Sequence, residues 1–236
     1  METLKKEIKE KGYAIVSSLF TEDEVKNILS VVENTSNTNP AFRKTNHLFA
    51  IRRFLHEIPV TGLLFTDKLK SLIKGLFGHD YFIVKSIYFD KPKQSNWFVA
   101  YHQDLTISVN TKTDITGFGP WTVKQDQFAV QPPLHILEEN FTIRVHLDDT
   151  DKNNGALRVI PGSHVKGIYR PETIDWSKEK EEICTVQNGG LMIMRPLLLH
   201  ASSKTTNNKK RRVIHIEFSS ATLPQPLQWS ELMNVN

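Results

Sequence analysis

The chain has 236 residues, 39% of them hydrophobic, which is enough for one substantial core and favours a single domain, 1–236, over two small ones. Its 30 Lys+Arg against 26 Asp+Glu leave a formal charge of +4 spread along the sequence, too weak to argue for a nucleic-acid or membrane partner. One cysteine, Cys184, excludes an intrachain disulfide and a cysteine-rich zinc site and suits a reducing compartment. The charged start, Met1 to Glu7, is followed by no apolar run, and no stretch reaches the ~18 apolar residues of a membrane span, so a cytoplasmic globular protein is expected.

In chain order, residues 4–11 read as a short charged helix ended by Gly12, and Tyr13 to Val16 as a strand. Thr21-Glu22-Asp23-Glu24 has the spacing of a capping box, and Val25, Ile28, Leu29 and Val32 recur at helical period, which predicts an amphipathic helix over 22–33. From Ile51 to Gly78 the pattern is again mostly helical, so 1–79 is expected to be mainly helical support. Beyond residue 80 the composition turns β-branched and aromatic. Tyr81 to Phe89, closed by Pro92, and Trp97 to Val109 read as strands. Residues 110–135, rich in Gly and Pro, read as a long irregular connection whose Phe118, Trp121 and Phe128 make it a lid candidate.

Strands are then predicted at Phe141–Leu147, Ala156–Ile160, Ile183–Val186, Leu191–Met194, Leu197–Ala201 and Arg212–Phe218. Asn154-Gly155, Pro161-Gly162 and Gly189-Gly190 mark turns between short strands, a signature of an antiparallel sandwich or barrel and not of alternating β-α units. The expected fold is mainly β with α: a jelly-roll core over 80–220 against an N-terminal helical layer, with 221–236 as a C-terminal tail.

The chemistry centres on His102-Gln103-Asp104. In an extended strand, residues two apart share a face, so His102 and Asp104 would aim an imidazole and a carboxylate at one point, while Gln103 turns away. His200 ends the apolar run Leu197-Leu198-Leu199 and reads either as a satisfied core histidine or as a third ligand. Arg211 and Arg212 open a strand, so one points inward. A guanidinium inside a barrel is costly unless it meets a carboxylate, which its planar fork can capture bidentately. Arg144 shares a strand face with Thr142 and His146, opposite Val145 and Leu147. It points into the barrel, toward substrate or cosubstrate, or else forms a surface salt bridge. Lys85 and Tyr88 lie on a strand that should line the pocket, in undecided phase, and with Trp121 and Arg144 they complete the candidate substrate-binding set. His215 shares the phase of Arg211, and His164 is assigned to a turn.

Asn154-Gly155-Ala156-Leu157 to Pro161-Gly162-Ser163-His164, with Leu147-Asp148-Asp149 before it, closely resembles the phytanoyl-CoA dioxygenase family of iron(II)/2-oxoglutarate oxygenases. So does the order His102-Gln103-Asp104, then that segment, then His200, then Arg211 eleven residues further on. Lys91-Pro92 and Tyr13 to Phe20 also look familial, so the resemblance covers nearly the whole chain. It implies a double-stranded β-helix (cupin-like) in which His102, Asp104 and His200 hold iron(II) on one face, with open positions for cosubstrate. It further implies that 2-oxoglutarate places its far carboxylate on Arg211, with Ser202 as a hydrogen-bonding neighbour, and that dioxygen is the second cosubstrate. The expected reaction is hydroxylation or desaturation of a small organic metabolite with release of succinate and carbon dioxide. The carboxylate of Asp104 speaks against halogenation, because halogenating relatives leave that position open for chloride. A cupin without 2-oxoglutarate would have no need of an inward Arg211, and a non-catalytic ligand-binding relative would be expected to have lost a ligand. A nucleic-acid module would need aromatics among Lys209 to Arg212, where there are none.

Overall fold

The computed structural model describes residues 1–35, 41–44, 48–91, 98–124 and 127–235. Its helices follow local signals. Helix α1 (Glu2–Lys11) stops at Gly12, whose φ of +84° is the left-handed conformation that glycine adopts without a Cβ penalty. Helix α2 (Glu22–Asn34) starts on the expected capping box: the Thr21 hydroxyl accepts from the Glu24 amide, and the Glu24 carboxylate accepts from the Thr21 amide.

The helical stretch expected from Ile51 to Gly78 is instead divided. Ile51 lies in a strand, and three short helices follow: α3 (Phe54–Glu57), α4 (Thr61–Leu64) and α5 (Asp67–Phe77). Pro59, lacking an amide hydrogen and fixing its own φ, interrupts the run, and Thr66 caps the last helix. One more helix, α6 (Leu134–Glu138), precedes the central strands.

The large antiparallel sheet runs in the order β1 (Tyr13–Val16), β12 (Leu191–Met194), β9 (Phe141–His146), β14 (Arg211–Ser219), β4 (Phe82–Lys91), β3 (Leu48–Arg52) and β2 (Phe42–Lys44). β15 (Met233–Asn234) adds to β4. The second sheet runs β11 (Glu182–Cys184), β10 (Leu157–Val159), β13 (His200–Ser202) and β5 (Val99–His102). Tyr13, Met192 and Met194 of the first pack with Leu157, Val159 and Cys184 of the second, closing the jelly roll. A third sheet joins β6 (Ile107–Val109), β8 (Gln127–Val130) and β7 (Trp121–Lys124).

Three expectations change here. Residues 1–79 contribute three strands to the large sheet as well as helices, and the described part of the tail, residues 221–235, is built into the body by β15, Leu227 and Trp229. Within residues 110–135, β7 and β8 pair antiparallel and β8 pairs with β6, while Phe118, Trp121 and Phe128 pack on an apolar cluster. Pro92 and Trp97 lie outside the described residues.

Alternation along the large sheet divides its two faces. Tyr88, Ile143, Val145, Ile214 and Ile216 pack outward on Val25, Ile28, Leu69 and Ile73 of α2 and α5. Burying each such side chain stabilises the fold by roughly 1.5–3 kcal/mol. The inner face of the same strands carries Lys85, Lys91, Thr142, Arg144, His146, Arg211, His215 and Glu217, most of them buried. A sheet so apolar outside and so polar inside has its chemistry in the barrel.

Candidate active site

β5 and β13 run antiparallel with His102 directly opposite His200, and the two ring centroids are 4.2 Å apart. Each ring is oriented by its own strand. Nδ1 of His102 donates to the Ala100 carbonyl at 2.9 Å, and Nδ1 of His200 to the Leu198 carbonyl at 2.8 Å. A carbonyl can only accept, so both Nδ1 atoms carry the hydrogen and both Nε2 lone pairs are left for a metal.

Asp104 arrives by a different route from the one alternation predicts. β5 ends at His102, and the chain turns out of the sheet. The Asp104 amide donates to Pro196 O at 2.9 Å. Gln103 pins the turn by donating to Leu197 O at 2.6 Å and Gly167 O at 2.9 Å, and by accepting from the Tyr169 amide at 2.9 Å. Asp104 Oδ1 then lies 3.8 Å from His102 Nε2, and Oδ2 lies 3.9 Å from His200 Nε2. One ligand atom from each residue falls within 4.8 Å of the other two. Asp104 Oδ2 is buried with no hydrogen-bond partner among the described residues, as expected of an atom placed for an ion.

The protonation states suit a metal. Burial holds the His200 imidazole down at about 4, so it is neutral at physiological pH. Burial alone would raise Asp104, but His200, His215, Lys85 and His102 outweigh it and keep the carboxyl ionised, at about 2. Two imidazoles with free Nε2 atoms and a carboxylate, with no thiolate, form the donor set of a non-haem iron(II) site with open positions.

A second feature lies on the adjoining strands. Arg211 and Lys91 are cross-strand partners, and both are almost fully buried. Arg211 Nη1 donates to Gly155 O and Lys91 Nζ to Ser203 O, while Arg211 Nε has no partner among the described residues. Burial, then the charge of Arg144, lowers Arg211 to about 9; burial, then the charge of Arg211, lowers Lys91 to about 8. No ion pair links either one to an acid among the described residues. Burying two cations on facing positions costs free energy, which an anion between them offsets. Ser202 pairs with Leu157 as His200 pairs with Val159, so its buried hydroxyl shares the ligand face. Lys91 is the residue that sequence reasoning did not place. Its signal was the phase of β4, where Lys85, Ile87, Phe89 and Lys91 alternate on one side.

Arg144 points inward. Its Nη1 donates to His215 Nδ1 at 2.9 Å, which leaves His215 Nε2 to donate to Glu217 at 3.0 Å. Lys85 Nζ reaches the same Glu217 oxygen at 2.7 Å, so these four residues form one chain along the inner face. Arg212 points outward to a bidentate contact with Asp148 at 2.7 and 2.9 Å. His164 lies in a 3-10 turn and bonds Lys9 O at 3.2 Å.

Two candidate substrate residues lie elsewhere. Tyr88 pairs with Ile214 and Ile51 on the outer face and stacks on Phe54 at 5.5 Å, because the register of β4 turns Ser86 and Tyr88 toward the helices. Trp121 packs with Val130 and Ile107, while Thr122 and Lys124 of the same strand face the neighbouring cavity.

A jelly roll with two imidazoles and a carboxylate on one inner wall, beside paired buried cations, defines a metal-dependent oxygenase scaffold. The chain belongs to the phytanoyl-CoA dioxygenase (PhyH) family, whose model matches residues 8–213. It is 22% identical over 247 residues to a probable alpha-ketoglutarate-dependent hypophosphite dioxygenase of Stutzerimonas stutzeri, covering 92% of this chain and 77% of the relative. It is 26% identical over 243 residues to the iron/alpha-ketoglutarate-dependent dioxygenase ausO of Aspergillus calidoustus, covering 94% and 74%. The fold is similar to that of EctD from S. alaskensis, solved with 2-oxoglutarate and 5-hydroxyectoine. The TM-score is 0.72 at 18% identity, over 93% of this chain and 76% of that one. The protein is an oxidoreductase, an iron(II)- and 2-oxoglutarate-dependent dioxygenase.

Proposed function

We propose that the protein hydroxylates a small organic metabolite, consuming 2-oxoglutarate and dioxygen and releasing succinate and carbon dioxide. The observation that carries this reading is the convergence of His102, Asp104 and His200, with both Nδ1 atoms blocked, beside Lys91 and Arg211, which lack an anion among the described residues.

His102 and His200 through Nε2, and Asp104 through its carboxylate, hold the metal, which when bound supplies oxygen activation. Arg211 captures the far carboxylate of 2-oxoglutarate bidentately, Lys91 adds charge, and Ser202 adds a hydroxyl. Gln103 keeps Asp104 in place from behind. The buried walls keep bulk water from the reacting centre. A cupin-type site without 2-oxoglutarate would leave the Lys91–Arg211 pair with no purpose. A reducing compartment such as the cytoplasm suits the buried, unpaired Cys184, and no helix among the described residues is long and apolar enough to cross a membrane.

The test is an anaerobic titration with iron(II) and 2-oxoglutarate. A visible charge-transfer band should appear in the wild type and vanish in His200→Ala. No band in the iron-loaded wild type, or an unchanged band in the variant, overturns the reading.

A further inference from the structure

A cavity of about 620 Å³ opens between the inner face of β4 and the three-stranded sheet. His102, Asp104 and His200 do not line it; it is tied to them by Thr106, two residues past Asp104, and by Lys85, whose charge acts on Asp104, both of which line it. Its wall is mixed: Val109, Phe128 and Trp229 give it apolar surface, while Arg52, Lys85, Ser108 and Gln127 give it the charge and hydrogen-bonding groups that orient a polar ligand.

Of the cations Arg52, Arg53 and Lys124 on this wall, Arg52 is the partly buried one, while Arg53 and Lys124 are exposed. β3 pairs Arg52 with Ile87 and Ile51 with Tyr88, so Arg52 shares the inner face with Ile87 while Ile51 goes to the core. Its guanidinium is partly buried, and Nη1 donates at 2.7 Å to Gln127 Oε1, a neutral acceptor. Among the described residues no acid pairs with it. The acids nearby are committed elsewhere: Glu231 accepts from the amide and hydroxyl of Ser86, and Glu217 accepts from Lys85 and His215. Arg43 of β2, opposite Ala50, adds a second positive charge on the same face, and its buried Nε has no partner among the described residues. A partly desolvated guanidinium beside a like charge is stabilised by an external anion more than by water alone.

We propose that the substrate is a small polar molecule carrying an anionic group, a carboxylate or a phosphate ester, and that Arg52 binds this group in the cavity beside the triad. This rests on the dioxygenase reading of His102, Asp104 and His200. Gln127 holds the guanidinium from one side and leaves the rest of its planar fork for the anion. The residue thereby selects which metabolite presents its C–H bond to the metal.

The test uses the protein loaded anaerobically with iron(II) and saturating 2-oxoglutarate. It is titrated calorimetrically with paired probes: small hydroxy and amino acids against their methyl esters, and sugar phosphates against the free sugars. At least one charged probe should bind tenfold or more tighter than its neutral partner. The series in which this occurs identifies the group as carboxylate or phosphate. Arg52→Gln should abolish that preference and Arg52→Lys should retain part of it, both at wild-type melting temperature. Equal binding of charged and neutral partners in the wild type, a comparison that needs no variant, overturns the proposal. So does an unchanged preference in folded Arg52→Gln. The charge-transfer band is recorded on the same sample. Its absence overturns the dioxygenase reading alone, because the charge preference is read from heat and its dependence on Arg52 separates it from binding at Lys91 and Arg211.

Discussion

Lys91 and Arg211 face each other across neighbouring strands, both buried, and no acid among the described residues stands between them. Each reaches a backbone carbonyl, Lys91 that of Ser203 and Arg211 that of Gly155, so the pair is held in place before any ligand arrives. A preorganised dicationic pocket binds a carboxylate without the cost of assembling it.

Removing either cation should weaken 2-oxoglutarate far more than iron. Truncating one partner of a buried charged contact costs about 2–5 kcal/mol, roughly 30-fold or more in affinity. Arg211→Ala and Lys91→Ala should each raise the dissociation constant for 2-oxoglutarate on that scale. Their effects should be non-additive in the double variant, because the two share one ligand group. Anaerobic titration at fixed iron measures this, and equal losses of iron and 2-oxoglutarate affinity would remove the assigned role.

The same pair sets a pH dependence. Burial, then the charge of Arg211, brings Lys91 down from 10.5 to about 8. Protonated Lys91 attracts the carboxylate and neutral Lys91 does not. Affinity for 2-oxoglutarate should therefore fall as pH rises through about 8, and in Lys91→Met it should be weaker from the start and lose the part of this fall that lies near 8. A wild-type affinity constant from pH 7 to 9 would contradict it.

Gln103 acts on the metal only through Asp104. Its three hydrogen bonds fix the turn that brings the carboxylate to the imidazoles. Loss of such outer support typically costs 10–100-fold in metal affinity. Gln103→Ala should weaken iron(II) by about that factor, and Gln103→Glu, which cannot donate both amide bonds when ionised, should not rescue it. Iron competition with a chromophoric chelator provides the readout.

Gly155 stands at the anion pocket with φ of +85°, and a Cβ there would come within 2.7 Å of Lys91 Nζ and 2.8 Å of Ser203 O. Gly155→Ala meets both backbone strain of about 1–2 kcal/mol and this crowding. Lower melting temperature and weakened 2-oxoglutarate binding should appear together. Asn154→Ala, which removes buried bonds to Asp151 N and Asp149 O, should lower stability by about 1–3 kcal/mol.

Glu231 makes stability depend on pH. Its carboxyl accepts from the Ser86 amide and hydroxyl in the stretch of β4 between its pairings with β3 and β15, and burial raises it from 4.5 to about 7. The native state therefore binds more protons than the unfolded state between these values, so this stabilisation is complete below about 4.5 and lost as pH rises through about 7. Melting temperature should fall between pH 5 and 7 more steeply in the wild type than in Glu231→Gln.

Spacing and resemblance marked the residues that could do the chemistry and the order in which they come. His102, Asp104, His200 and Arg211 were legible from spacing and family resemblance. So was the Thr21 capping box, which depends on neighbours within a few residues; alternation gave only that one of Arg211 and Arg212 points inward, and the resemblance, not the spacing, singled out Arg211. Tertiary structure decided the rest. Asp104 meets the imidazoles through a turn pinned by Gln103, not through strand alternation, because β5 ends two residues earlier. Alternation could say that Lys85 and Tyr88 point opposite ways, but not which one points in. Pairing of β4 with β14 and β3, strands far away in sequence, supplied that phase. It turned Tyr88 into the helical core and Lys85, Lys91 and Arg52 onto the barrel face. A period of two carries no absolute phase; only register with distant strands supplies it.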